Sequence, residues 1–149
     1  MDLVLWRHAD AEDAGRGGDL ARALTARGRL QAERMAAWLA ARLPPKARVL
    51  ASPALRCQET AAPLGRKVET VAAIGPGAEP QALLDAAGWP AGSGTVLVVG
   101  HQPTIGQAAA LAMGAVGASW QVKKAAVWWL KSGNGGAIRV HAVQSPDDL

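Results

Sequence analysis

The stretch Thr95–Gly114, "TVLVVGHQPTIGQAAALAMG", decides the fold class. Its first six residues, "TVLVVG", show no polar alternation, the pattern of a strand buried on both faces in a parallel sheet covered by helices. Gly100 and His101 follow, then a proline that starts a helical run of small and apolar residues, "PTIGQAAALAMG". A fully buried strand leading at once into a helix is the repeating unit of an α/β protein.

The same unit recurs upstream. "LVLW", residues 3–6, reads as a first strand that delivers Arg7 and His8 at its end. The polar, Gly-rich stretch "ADAEDAGRGGDLARA" is longer than a routine strand-to-helix connection and is therefore a candidate functional loop. From Thr25, a candidate cap, apolar residues recur at helical spacing through Ala32, Met35, Ala36, Leu39 and Leu43, and Pro44-Pro45 stop the helix. "RVLAS" predicts a second strand, with Ser52 as N-cap and Pro53 at the first position of the helix "PALRCQETAAPLG". "KVETV" predicts a third strand, and "EPQALLDAAG" a short helix ended by Gly88. After the long helix, "KAAVWWLKS", "GNGG" and "AIRVHAVQ" form the pattern of a two-stranded hairpin. Trp128 and Trp129 point to opposite sheet faces, so at most one belongs to the core. The expected architecture is one domain over residues 1–149, a three-layer α/β/α sandwich whose mainly parallel sheet ends in a C-terminal antiparallel hairpin.

Composition narrows the function classes. Half of the residues are hydrophobic, as in an ordered globular chain, with six Trp and no Phe or Tyr. Lys and Arg outnumber Asp and Glu by 16 to 12, a net charge of +4 that favours anionic partners. The basic residues are scattered and no run exceeds two, which argues against a nucleic-acid arm. The single Cys57 forms no internal disulfide, consistent with a reducing cytoplasm. No signal-peptide pattern is visible, and no segment reaches the ~20 apolar residues needed to span a bilayer. A cytoplasmic protein without membrane association is expected.

In an open sheet, ligands bind outside the carboxyl ends of the strands. The first strand delivers Arg7 and His8 there, the second Ser52 and then Arg56, and the fourth Gly100 and His101. Two of the three histidines and two arginines thus share one sheet edge. Phosphoryl transfer needs this combination. Arginine forks onto phosphate oxygens and keeps its charge. A neutral imidazole can attack phosphorus and form a covalent intermediate, while a second histidine donates to the charged oxygens.

These residues also carry a resemblance. "LWRHADAE" resembles the Arg-His-Gly motif of the histidine phosphatase superfamily, whose fold is phosphoglycerate mutase-like. "SPALRCQETA" is similar to its Ser-Pro-x-x-Arg-x-x-x-Thr-Ala segment, and "VVGHQPTIG" to its second-histidine segment. The short chain and "ARALTARG" look most like the SixA-type phosphohistidine phosphatases. The resemblance implies that His8 is the nucleophile, that Arg7 and Arg56 clamp phosphate, and that His101 is the second pocket histidine. Arg22 looks like an additional phosphate-binding arginine of the SixA group. Phosphate or sulfate would then occupy the pocket, with no cofactor and no metal. Ala9 departs from the pattern, which usually has glycine there. A second departure concerns the general acid: Glu79, in "GPGAEPQ", is the one acid between Glu69 and Asp85. It stands equally as a catalytic acid and as a helix N-terminal glutamate favoured by the dipole.

A weakly specified acid fits an imidazole leaving group better than an alkoxide, which needs a proton badly. The resemblance therefore implies a phosphatase acting on phosphohistidine borne by a signalling or phosphotransfer protein. The alternatives are a small phosphorylated substrate, handled by a broad phosphomonoesterase, and a silent anion-binding module. Other signals carry less. Cys57 lacks the arginine six positions later that cysteine phosphatases need, since position 63 is Pro, and it reads as a semi-buried helix residue. His141 reads as an exposed strand position, no spacing matches a metal cluster, and "GPG" and "GNGG" are turns rather than nucleotide-binding loops.

Overall fold

The computed structural model describes residues 1–149. Six strands form one sheet: β1 (Asp2–Arg7), β2 (Arg48–Ala51), β3 (Val68–Thr70), β4 (Thr95–Gly100), β5 (Val127–Ser132) and β6 (Ile138–Gln144). Their order is β3-β2-β4-β1-β5-β6. The first four in that order run parallel, while β5 and β6 are antiparallel to their neighbours. Four helices connect them: α1 (Ala26–Ala40), α2 (Leu55–Ala61), α3 (Pro80–Ala87) and α4 (Thr104–Ala112). This is the expected mainly parallel sheet with a C-terminal antiparallel hairpin.

Side-chain alternation builds two cores, one on each face. Val4, Trp6, Val49, Leu97 and Val99 face α1 and α2, meeting Met35, Leu39, Cys57 and Ala61. Leu3, Leu5, Leu50, Val96 and Val98 face α3 and α4, meeting Leu83, Leu84, Ile105 and Ala109. All six residues of β4 are buried, as its unbroken apolar run requires. Trp129 belongs to the first core, whereas half-buried Trp128 stacks on Trp120 at 5.2 Å. No helix is long and apolar enough to cross a membrane.

Several local expectations hold. Thr25 caps α1 by accepting from the Gly28 N–H at 2.9 Å, and Gly88 ends α3 in the left-handed region. Three details differ. Helix α1 ends at Ala40, before the Pro44-Pro45 pair, and Leu43 prolongs it only by one bond to the Leu39 carbonyl. Pro103 stands at the N-cap of α4 rather than inside its first turn. Ser52 does not cap α2, which starts at Leu55 with Ala54 as its N-cap. The Ser52 hydroxyl serves the tight turn to Ala54 N–H and, as shown below, a histidine.

Candidate active site

The parallel strands end level with one another. Ala51 pairs with Val99, Trp6 with Val99 and Arg7 with Gly100, so Ser52, His8 and His101 leave the sheet side by side. The His8 N–H donates to the Gly100 carbonyl at 3.0 Å, which fixes the start of the 9–24 loop beside β4. Chain order reverses here, since β4 inserts between β2 and β1, and such a crossover opens a crevice at the strand ends.

That crevice is a depression of about 240 Å³. Arg7, His8, Arg22, Arg56, His101 and Lys124 line it, and no carboxylate does. Five expected site residues therefore converge. Glu79 does not join them. It is exposed at the N-cap of α3 and lines a separate depression with Pro80, Gln107 and Leu111. The cause is the packing of the 75–80 turn, which the Thr104 hydroxyl pins by donating to the Ala78 carbonyl. The turn presents Pro76 and Gly77 to the pocket and carries Glu79 past it.

Hydrogen bonds define the state of each imidazole. His8 Nδ1 lies 2.8 Å from the Ala9 carbonyl, which only accepts, so Nδ1 carries the proton and Nε2 the lone pair. Burial pushes the His8 pKa down to about 4, aided by Arg56, Arg7 and Arg22 and opposed by the Ala9 bond. His8 is thus a neutral base with a free Nε2, the form a nucleophile requires. His101 takes an N–H from Arg56 Nη2 on Nδ1 at 3.3 Å and donates from Nε2 to the Ser52 hydroxyl at 2.7 Å. Burial, then Arg56 and His8, pushes its pKa down to about 3. The two rings meet edge-on with centroids 5.3 Å apart.

The guanidinium groups are anchored but not saturated. Arg7 Nη1 donates to the Val122 carbonyl at 2.8 Å. Arg56, only 4% exposed, donates from Nη1 to the Asp19 carbonyl at 2.9 Å and from Nη2 to the Asp19 carboxylate at 3.2 Å. Two buried side-chain nitrogens in the chain have no hydrogen-bond partner, Arg7 Nε and Arg56 Nε. Both arginines line this pocket. Guanidinium groups lining a pocket suit a tetrahedral oxyanion, which accepts forked N–H bonds.

Asp19 escaped the sequence reading. Its carboxylate bridges Arg56 and, at 3.3 Å, Arg22, whose Nε also donates to the Glu12 carbonyl at 2.6 Å. Desolvation works against ionisation there, but the Arg22 and Arg56 bonds outweigh it and hold the carboxyl below its usual range. The available signal was Asp19 three residues before Arg22 in a short 3-10 turn, Asp19–Ala21. Cys57 is wholly buried rather than semi-buried, with its sulfur 3.5 Å from His101 Nε2. Burial pushes its thiol up to about 12, which leaves it without nucleophilic thiolate.

The family model of the histidine phosphatase superfamily (branch 1) matches residues 3–77, half of the chain. The chain belongs to that superfamily. Its fold is shared with solved structures over nearly the whole length. The tungstate complex of the protein histidine phosphatase SixA superposes with a TM-score of 0.80 at 24% identity, covering 99% of both chains. A protein from Nakamurella multipartitia named for phosphohistidine phosphatase SixA has a TM-score of 0.74 at 30% identity, covering 97% of this chain and 95% of its own. The phosphoserine phosphatase of Entamoeba histolytica, as an H9A mutant with phosphoserine, gives 0.73 at 14% identity over 99% and 98%. No curated protein matches the chain. Against the superfamily pattern, Ala9 is accommodated without strain. It avoids positive φ, its methyl enters the first core, and its N–H donates to Thr60 Oγ1 at 3.0 Å.

Proposed function

We propose that the protein is a phosphatase that forms a phosphohistidine on His8 and that its substrate is phosphohistidine carried on another protein. The observation that carries this reading is a neutral, buried imidazole with a free Nε2 in a cradle that offers N–H donors and contains no carboxylic acid. Arg7, Arg22 and Arg56 take the non-bridging oxygens. His8 Nε2 attacks phosphorus, the bond from phosphorus to the leaving nitrogen breaks, and the leaving imidazole keeps that electron pair. His101, which accepts from Arg56 Nη2 on Nδ1 and bonds Ser52 through Nε2, holds the Arg56 guanidinium in place beside the transferring group. Water then attacks phospho-His8, releases inorganic phosphate and restores Nε2.

The leaving group decides the substrate class. Glu79 lines another depression, and Asp19 is held ionised by two arginines, so neither supplies a proton to an alkoxide. A phosphohistidine protonated on its other ring nitrogen by solvent leaves as a neutral imidazole and needs no acid from the pocket. The relatives point the same way, since SixA is named a protein histidine phosphatase and its complex holds tungstate, a tetrahedral oxyanion. The test is a substrate panel comparing a phosphohistidine-bearing protein with phosphoserine, 3-phosphoglycerate and p-nitrophenyl phosphate. Phosphohistidine turns over with the highest kcat/KM on this reading. Equal or faster hydrolysis of the esters makes the protein a phosphomonoesterase instead.

A further inference from the structure

Beside the phosphate cradle lies a second depression, of about 280 Å³, with no apolar residue in its lining. The two adjoin, sharing Arg7 and Lys124 in their linings. Four cations border the second one, Arg7, Arg27, Lys123 and Lys124, against two carboxylates, Asp10 and Asp147. Lys124 pairs with Asp10 at 2.6 Å. Exposed Arg27 and Lys123 form no ion pair, so their charge is available to a partner.

This cationic rim is fastened to the nucleophile. Val122, next to the lysine pair, accepts from Arg7 Nη1, and the Ala125 N–H donates to the His8 carbonyl at 3.2 Å. Asp10, which holds Lys124, also accepts from the Thr25 hydroxyl at 2.7 Å at the start of α1, the helix that carries Arg27. The backbone positions of the rim are therefore fixed relative to His8 by main-chain and part-buried hydrogen bonds.

We infer that Arg27, Lys123 and Lys124 dock an acidic segment of the phosphorylated protein, next to the residue that bears its phosphoryl group. The inference rests on the functional reading above and extends it to the partner's surface. A nucleic acid fits less well, since Asp10 and Asp147 interrupt the basic row and no aromatic side chain lines it for base stacking. Carboxylates spaced along a polypeptide avoid both obstacles, and charge complementarity of this kind mainly steers encounter and lowers KM.

Two synthetic phosphohistidine peptides test this, one with Asp and Glu flanking the histidine and one with Ser and Gly at the same places. The wild type shows a KM for the acidic peptide lower by roughly 5- to 10-fold at low salt, as two or three exposed pairs imply, and the preference shrinks at high salt. R27E/K123E, and the milder R27Q/K123Q, abolish the preference while leaving kcat for the neutral peptide unchanged. Equal KM for the two peptides overturns the docking surface, as does an equal loss on both peptides in the variants. Stronger inhibition by single-stranded DNA than by the unphosphorylated acidic peptide also overturns it, in favour of a nucleic-acid site. If p-nitrophenyl phosphate is hydrolysed and neither peptide is, the functional reading fails and the docking surface falls with it.

Discussion

Acidification from pH 7.5 to 4.5 weakens this fold by several kcal/mol through His8 and His101. In the unfolded chain a histidine titrates near 6.5, whereas the folded values are about 4 and about 3. Between these limits the unfolded state binds protons that the folded state refuses. Stability is full above pH 6.5 and falls as pH drops through the window. Over the two pH units from 6.5 to 4.5 each ring accounts for about 2.5 kcal/mol at 1.36 kcal/mol per unit. The rings are 5.3 Å apart and titrate as a pair, so roughly 3–5 kcal/mol is the expected total. That is a large share of the ~5–15 kcal/mol that holds a domain together. The carboxylates with lowered values, Asp10, Asp19 and Glu69, do not confuse the measurement. Their contributions start to fall about one pH unit above the unfolded values, 3.8 for Asp and 4.5 for Glu, so at pH 4.5 each has lost at most about 0.4 kcal/mol. Urea denaturation at both pH values reads the effect. His101→Asn removes one titrating ring and roughly halves the loss, and 10 mM phosphate reduces it in the wild type by favouring the charged rings. A wild-type stability that is flat across this range, or one that falls equally in His101→Asn, refutes the reasoning.

Asp19→Asn removes the negative charge that competes with an oxyanion for Arg22 and Arg56, and tungstate binds roughly 3- to 10-fold more tightly at low salt. Weaker binding in a calorimetric titration assigns Asp19 the opposite role, that of orienting Arg56. Gly28→Ala is expected to damage the fold next to the site, because a Cβ there would clash with the Asp10 carbonyl oxygen. Overpacking of roughly 1–3 kcal/mol lowers the Tm by about 3–10 °C. An unchanged Tm contradicts the close approach of α1 to the 9–24 loop.

How much was legible in the sequence follows from the range of each interaction. Thr95–Gly100 is a strand because it is apolar on both faces, and its bounds were visible without a partner. Thr25 and Gly88 act within three or four residues and were equally readable. The convergence of Arg7, His8, Arg56 and His101 was predictable because strand ends in a parallel sheet share an edge. Ser52 was misread because its hydroxyl is claimed by His101, 49 residues away, and local capping rules see no such competitor. Asp19 was missed for the same reason, since its partner Arg56 lies 37 positions on. Glu79 sits within reach of the pocket by sequence order alone. The bond from Thr104 to Ala78, between two separate elements, decides that it faces elsewhere.

On the proposed mechanism His8 carries the phosphoryl group between substrate and water, and that species can be trapped. The wild type is mixed with labelled phosphohistidine protein and quenched within milliseconds in alkali, where phosphohistidine survives. Peptide mass spectrometry then locates the label. Stoichiometric label on His8 is expected at the earliest times, decaying as phosphate appears, with none in His8→Ala, which releases no phosphate. Label on His101, or undiminished turnover by His8→Ala, contradicts that mechanism.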